Sequence, residues 1–278
     1  MSRLLTADFN KLKKNRFFWL CMAGMFLFGV VMAVTHHIAM IQQGDIPHLT
    51  NILFFYTLAA AILIPAFVSL FIGTEYSDGT IRNKLVIGHT RNHIYLSNLI
   101  VCSAAGMLVC AAYIAAALLV GIPLSGIDTG SLQSIMILFL ISMIMSAAFT
   151  ALCTLTALLC QNKAMTAVIN ILIVCFCIVM SIYIYNKLEQ PETIPHTSFT
   201  SEGEIIVSGQ IPNPDYLKGT EREVYQFLND FLPTGQAVNI AQGGGIAQSP
   251  EILTAYSAGI VFVSTAVGIF AFRKRDIK

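Results

Sequence analysis

Residues 129–186 read TGSLQSIMILFLISMIMSAAFTALCTLTALLCQNKAMTAVINILIVCFCIVMSIYIYN, and Lys163 is the single charged residue in the stretch. A helix needs roughly 20 predominantly apolar residues to cross a hydrocarbon core. Each flank of Lys163 therefore holds one span, and Gln161–Asn162–Lys163 is a tight turn between them. Backbone groups inside lipid must find partners within their own segment, which a helix provides. The runs are unbroken, unlike the short alternating segments of barrel strands.

The same pattern extends in both directions. The chain has 278 residues, 56% hydrophobic and 11% charged, against about 25% charged in ordinary soluble domains. Asp, Glu, Lys and Arg are absent from residues 17–44, 46–74, 92–127, 129–162, 164–186 and 252–272. The apolar cores within these intervals lie at about 17–40, 51–73, 94–120, 133–160, 164–186 and 252–272. The expected fold is an all-α integral membrane protein with six transmembrane helices, forming a single transmembrane domain over 1–278. The first apolar run is too long for a secretory signal and five more spans follow it, so it reads as a retained span.

Basic residues set the orientation. With the N-terminus inside, 13 of the 16 Lys and Arg fall in inner segments, leaving Lys187, Lys218 and Arg222 outside. The positive-inside bias thus places both termini in the cytoplasm. The near-neutral total of +1 conceals a basic inner face and an acidic outer one. All seven cysteines fall in expected spans, where thiols act as small apolar packing residues.

Ahead of the first span, Leu5, Phe9 and Leu12 share a helical stripe with Arg3, Lys11, Lys13 and Lys14 elsewhere. This suits a helix lying on the inner membrane surface; a basic flank that only sets topology is the alternative. Span two carries Pro65, which removes a helix hydrogen bond. Span three is dense in small residues, including Ala104, Ala105, Gly106, Ala111, Ala112, Ala115, Ala116 and Ala117, as close helix packing in lipid requires. Span four has Ser142, Ser146, Thr150 and Thr154 at four-residue spacing. That weakly polar stripe either packs against a neighbouring helix or lines a substrate path.

Residues 187–250 form an extracellular insertion between spans five and six, too long to be a structureless loop. Its clearest element is Thr220–Leu232: Thr220 and Glu223 make a capping box, Val224, Phe227, Leu228 and Phe231 repeat at helical spacing, and Pro233 ends the run. Gly203–Gln210 reads as an extended stretch, 211–214 as a turn, and Gly243–Gly244–Gly245 as a flexible joint.

Several chemistries are excluded. There is no Gly-Lys pair and hence no P-loop, so the chain is not expected to be an enzyme or to bind a cofactor itself. No H-E-x-x-H or G-x-S-x-G occurs. His89 and His93 are four apart, but without a third ligand no metal site is expected. No Asp, Glu, Lys or Arg lies at the centre of a span, against the habit of proton-coupled carriers.

The inner loop between spans two and three is the most informative. Ser77 or Asp78 can cap a short helix on which Ile81 and Leu85 share one face, beside Arg82 and Lys84, with Gly88 as its end. Such a helix is a docking knob for a soluble partner. The stretch Glu75–Leu85, E-x-x-D-G-T-I-R-N-K-L with Glu75, Asp78, Gly79, Thr80, Ile81, Arg82, Asn83, Lys84 and Leu85, resembles the loop after the second span of ABC type-2 permeases. The basic amphipathic N-terminal helix, the six spans, the large loop before the sixth and the terminal Phe272-Arg273-Lys274-Arg275-Asp276 are similar too. The overall look is closest to bacterial permeases that export, or confer immunity to, lantibiotics and amphipathic peptides. The resemblance implies a multi-pass protein of the bacterial cytoplasmic membrane. It also implies a separate cytosolic ATP-binding-cassette ATPase that binds ATP and Mg, a second permease copy, and export driven by ATP hydrolysed on the partner. The expected partners are that ATPase, the second copy, membrane lipid and an amphipathic peptide substrate, with no nucleic acid. The alternative is a non-transporting scaffold or sensor that binds a peptide through its extracellular loop.

Overall fold

The computed structural model describes residues 1–46, 48–126, 132–199, 205–243 and 249–275. Six helices are long and apolar enough to cross a membrane. A surface helix α1 (Ser2–Lys14) precedes span one, α2 (Arg16–Gln43). Asn15 separates them: its backbone N–H closes α1 on the Leu12 carbonyl, while its side chain accepts from the Phe18 N–H to start α2. A short 3₁₀ turn (Leu49–Asn51) leads into span two, α3 (Tyr56–Ser77), which contains Pro65. The loop helix α4 (Thr80–Val86) follows, then span three, α5 (Arg91–Ser125), and span four, α6 (Leu132–Cys160). Gln161, with φ 56°, turns the chain, and the Asn162 side chain caps span five, α7 (Lys163–Leu188), by accepting from the Ala164 and Met165 amides.

The insertion holds an antiparallel hairpin, β1 (Thr193–Phe199) with β2 (Ile205–Pro212), then α8 (Gly219–Phe231) and α9 (Pro233–Ala241). Span six is α10 (Pro250–Lys274), capped by Ser249. The expected extended stretch thus runs on through Ile211 and Pro212, and the turn is confined to Asn213–Asp215. Gly203, Gly244 and Gly245 lie outside the described residues.

Span two is the hub: 67% of its apolar window is buried, against 22% for spans five and six. Small residues let its neighbours close in. A Cβ at Gly106 would lie 3.3 Å from Ile64 of α3, and one at Gly29 of α2 would meet the Tyr113 carbonyl of α5 at 2.7 Å. Dispersion at such close approach holds helices together where lipid removes the hydrophobic drive.

The insertion is not a detached cap. Helix α9 is buried along its whole length. Thr57 of α3 donates to the Ala237 carbonyl at 2.7 Å, Ser181 of α7 meets Thr234 at 2.8 Å, and Ser257 of α10 donates to Gln236 at 2.6 Å. These bonds fix α9 among three spans at the end of the bundle opposite α1.

Candidate functional site at the basic end of the bundle

The basic end gathers α1, α4, the Gln161–Asn162 turn and the end of α10. Helix α4 decides its shape. Gly79 takes φ 66° to reverse the chain out of α3, and it is the N-cap, with no side chain capping the helix. The cap expected from Ser77 or Asp78 is therefore not formed; the Ser77 hydroxyl turns back to the Thr74 carbonyl instead. The C-terminus ends as the sequence indicates. Gly88, with φ 99°, donates to Leu85 at 3.0 Å and His89 donates to Lys84 at 3.1 Å, the paired closure in which glycine takes the left-handed position.

The inward face of α4 belongs to the chain itself. Ile81 is 1% exposed and sits in the core, with Leu85 packed beside it. Lys84 bridges two carboxylates, Asp8 of α1 and Glu75 of α3, both at 2.7 Å. Lys11 of α1 reaches the same Glu75 oxygen at 3.2 Å and lies 4.3 Å from the Phe71 ring centre. Ser97 donates to Asp8 at 2.6 Å and Asn98 to Glu75 at 3.0 Å, both from α5. Thr80 closes the cluster by donating to the Glu75 carbonyl at 2.9 Å. Two acids and two lysines balance, so the site is neutral. Burial disfavours the Lys84 charge, but Glu75 and Asp8 outweigh it and hold its pKa above the ordinary lysine value.

The sequence reading of this loop therefore needs division. Glu75, Ile81 and Lys84 are not a docking surface: burial and pairing commit them to α1, α3 and α5. Asp78, Arg82 and Asn83 are exposed, Gly79, Thr80 and Leu85 half-buried. Two apolar residues that sequence reasoning passed over, Val86 and Ile87, are 79% and 77% exposed. Their signal was present: the stretch Leu85-Val86-Ile87 exceeds what one buried face of a seven-residue helix can use. Asp8 was missed as well, because the apolar stripe of α1 was drawn through Leu5 and Phe9. These are half-buried; the deepest face runs Leu4, Asp8, Leu12.

The rest of the basic end is tied to this cluster. Tyr76 donates to the Leu158 carbonyl at the end of α6, at 2.6 Å. A Cβ at Gly73 would meet Lys163 at 2.8 Å, so only glycine lets α3 pass the turn before α7. Arg91 donates to the Phe272, Arg273 and Arg275 carbonyls, capping the end of α10, while Arg273 reaches Asn92 at 2.7 Å. Helix α4 is thus bonded to α1 and α3 and packed on α5, and these in turn are bonded to the ends of α6 and α10. Among the described residues no group of His, Cys, Asp and Glu is arranged to hold a metal ion.

The polar stripe of span four is not an open path. Ser142, Ser146, Thr150 and Thr154 are each at most 1% exposed. Ser142 pairs with Tyr56 at 2.5 Å, Ser146 donates to the Met143 carbonyl and Thr150 to the Ser146 carbonyl. The stripe is packed against α3 and α5, the other reading of its four-residue spacing.

Helix α8 also differs from expectation. It starts at Gly219 after Lys218, without a side-chain cap, so the Thr220–Glu223 box is not formed. Its buried residues are Gln226, Asn229 and Asp230, whereas Val224, Phe227 and Phe231 are exposed and Leu228 half-buried. Pro233 does not merely end α8; it opens α9.

Residues 4–184 match the family model described as ABC-2 family transporter protein. The match covers α1 through nearly all of α7 and includes every residue of the buried ionic cluster. No curated protein matches the chain.

Proposed function

The chain belongs to the ABC-2 family of transporter proteins, and on that premise we propose that it is the membrane-spanning half of an ATP-driven exporter. It is a multi-pass membrane protein and a transmembrane transporter subunit. The proposal adds that its power comes from a separate cytosolic cassette ATPase, which binds ATP and Mg, and that it works with a second permease copy. The cargo is an amphipathic peptide or lantibiotic-like molecule. The positive-inside bias supports a cytoplasmic location for the basic end.

The observation that carries the reading is the two-sided α4. Its outer side offers Val86, Ile87, Arg82 and Asn83 to solvent. Its inner side is locked to α1, α3 and α5 by Lys84 and Ile81. A short rigid element of this kind accepts a push from a soluble motor and passes it to the spans. The buried share of span two makes it the element through which such a push spreads. The peptide assignment draws support from the resemblance and from spans whose buried polar groups are hydroxyls and amides rather than central charges.

The test is co-purification with the ATPase, comparing the wild-type chain with Val86→Asp/Ile87→Asp. Burial of one such side chain contributes about 1.5–3 kcal/mol, or roughly ten- to a hundredfold in affinity. The variant should fold, insert and lose the ATPase. Retention of the ATPase at wild-type affinity would refute docking through α4. Peptide binding with no ATPase in any preparation would favour a sensor.

A further inference from the structure

A cavity of about 350 Å³ opens at the end of the bundle opposite α1, between the 3₁₀ turn before span two, the start of α6 and the end of α9. Its walls are tied together. The Thr57 hydroxyl of α3 donates to the Phe54 and Ala237 carbonyls, at 2.9 and 2.7 Å, and so pins α9 to span two. Tyr113 of α5 donates to the Ile52 carbonyl at 2.9 Å, and Leu49 is buried against Gly121 of the same span. None of the lining side chains is charged. Thr50, Asn51, Ser134 and Gln242 supply hydroxyls and amides, and none of these four side chains hydrogen-bonds to another group among the described residues. Ile135 and Leu138 add an apolar wall. Asn239 lies one turn back from Gln242 and Gly243 along the same face of α9. It is 0% exposed, and neither atom of its amide has a partner among the described residues.

We infer that this cavity is an outer binding site for a short, uncharged peptide segment. The unpaired amide of Asn239 is the strongest sign of a ligand, because buried polar side chains are nearly always partnered. Together with the four lining groups it leaves five side chains whose hydrogen-bonding capacity the described chain does not use. Their chemistry selects the occupant. Asn and Gln amides each present a carbonyl oxygen beside an NH2 group, the complement of a main-chain N–H and C=O. Ile135 and Leu138 can take an apolar side chain of the same segment. An ionic solute finds no counter-charge here. A sugar is the poorer fit: sugar rings rest on open aromatic faces, and the Phe54 ring in this wall is 4% exposed and packed in the core. The volume is at the lower end of the range for small-ligand sites, about 300–1,000 Å³, so the cavity takes a short segment and not a folded partner. This site deepens the proposed function: that the peptide is cargo rests on that reading, whereas its binding needs no ATPase.

The test uses the full chain, without ATPase, in nanodiscs of phosphatidylcholine and phosphatidylglycerol. The probe is a water-soluble peptide, Leu-Asn-Gly-Gln-Leu, capped at one end and carrying an uncharged dye at the other; its fluorescence anisotropy is read against empty discs. Saturable binding is expected. Asn51→Ala/Gln242→Ala removes two amides, and Ser134→Trp narrows the cavity from α6. All three positions are exposed, so both proteins should fold, and either decides the question if the other does not. Each should weaken binding about tenfold, the loss of roughly two hydrogen bonds in the double variant. Asn239→Leu should also weaken binding while raising the melting temperature of the free chain. No saturable binding above empty discs, or binding that any folded variant leaves unchanged, would overturn the assignment. So would displacement of the probe by maltotriose but not by unlabelled peptide. Co-purification of the ATPase is read separately: its loss with peptide binding intact counts against the proposed function, and the reverse counts against this site.

Discussion

Lys84→Met is the most informative perturbation of the buried cluster. Lys84 serves two carboxylates whose side chains are 3% (Asp8) and 0% (Glu75) exposed. Removing one partner of a buried pair costs about 3–5 kcal/mol, because a charge is left without compensation. The geometry says which charge that is. Glu75 keeps Lys11 at 3.2 Å and Asn98 at 3.0 Å. Asp8 keeps only the Ser97 hydroxyl at 2.6 Å, with no other cation within ion-pair distance among the described residues. Nearly all of the loss should therefore sit on Asp8. Adding Asp8→Asn to Lys84→Met neutralises the stranded group and should recover about 2–3 kcal/mol, at the upper end of coupling between contacting residues. Adding Glu75→Gln instead should recover nothing, since Asp8 stays stranded and Lys11 loses its acid. Reversible unfolding in detergent micelles, followed by tryptophan fluorescence and far-UV circular dichroism, measures all four proteins. If Lys84→Met costs under about 0.5 kcal/mol, the pairs behave as solvated surface pairs. If Glu75→Gln rescues as well as Asp8→Asn, the assignment of the stranded charge is wrong.

Four further outcomes are expected. The pKa of Lys84 is raised on folding, so its stabilisation is present below the unfolded value of about 10.4 and is lost as pH rises through the folded value. Lys84→Met/Asp8→Asn, which leaves no stranded carboxylate at Asp8, should remove that alkaline limb from a stability–pH curve while leaving its shape between pH 6 and 9 unchanged. Asn239 of α9 is fully buried and neither amide atom has a hydrogen-bond partner among the described residues; Asn239→Leu should stabilise the chain by about 1–3 kcal/mol in the same unfolding assay. In a cysteine-free background, Asn83→Cys and Glu192→Cys should label from opposite faces of right-side-out vesicles with an impermeant maleimide, Glu192→Cys from outside. Phe227→Asp/Phe231→Asp leaves the polar face of α8 intact, so the variant should fold in detergent but show weakened protection of α8 in bilayers by hydrogen exchange.

The spans were legible because lipid leaves so little freedom: a charge-free run of 20 residues has one solution, and the ends read from charge fall close to those of the helices. The end of α4 was legible from Gly88, which takes left-handed backbone, whereas its start falls at Gly79 and not at the expected Ser77 or Asp78 cap. Its division into inner and outer faces was not, because the partner of Lys84 lies 76 positions away in sequence at Asp8. An acid in a basic surface helix reads as solvated until the opposite lysine is seen. The same blindness hid α9. Thr234, Gln236 and Asn239 look like loop residues, yet each is buried against spans that supply partners for the first two. Helix α8 shows the complementary failure. Periodicity located its apolar face correctly but, in a membrane protein, could not say whether protein or lipid receives it.

On the proposed function, a cytosolic ATPase drives cargo through this chain by way of α4. The direct measurement is ATP-dependent accumulation of a fluorescent amphipathic peptide in inside-out proteoliposomes holding the chain and its cassette ATPase. The expected result is accumulation that requires ATP hydrolysis, is absent with Val86→Asp/Ile87→Asp, and is not shared by small ionic solutes. Transport that proceeds without ATP, or that survives loss of the α4 surface unchanged, would contradict it.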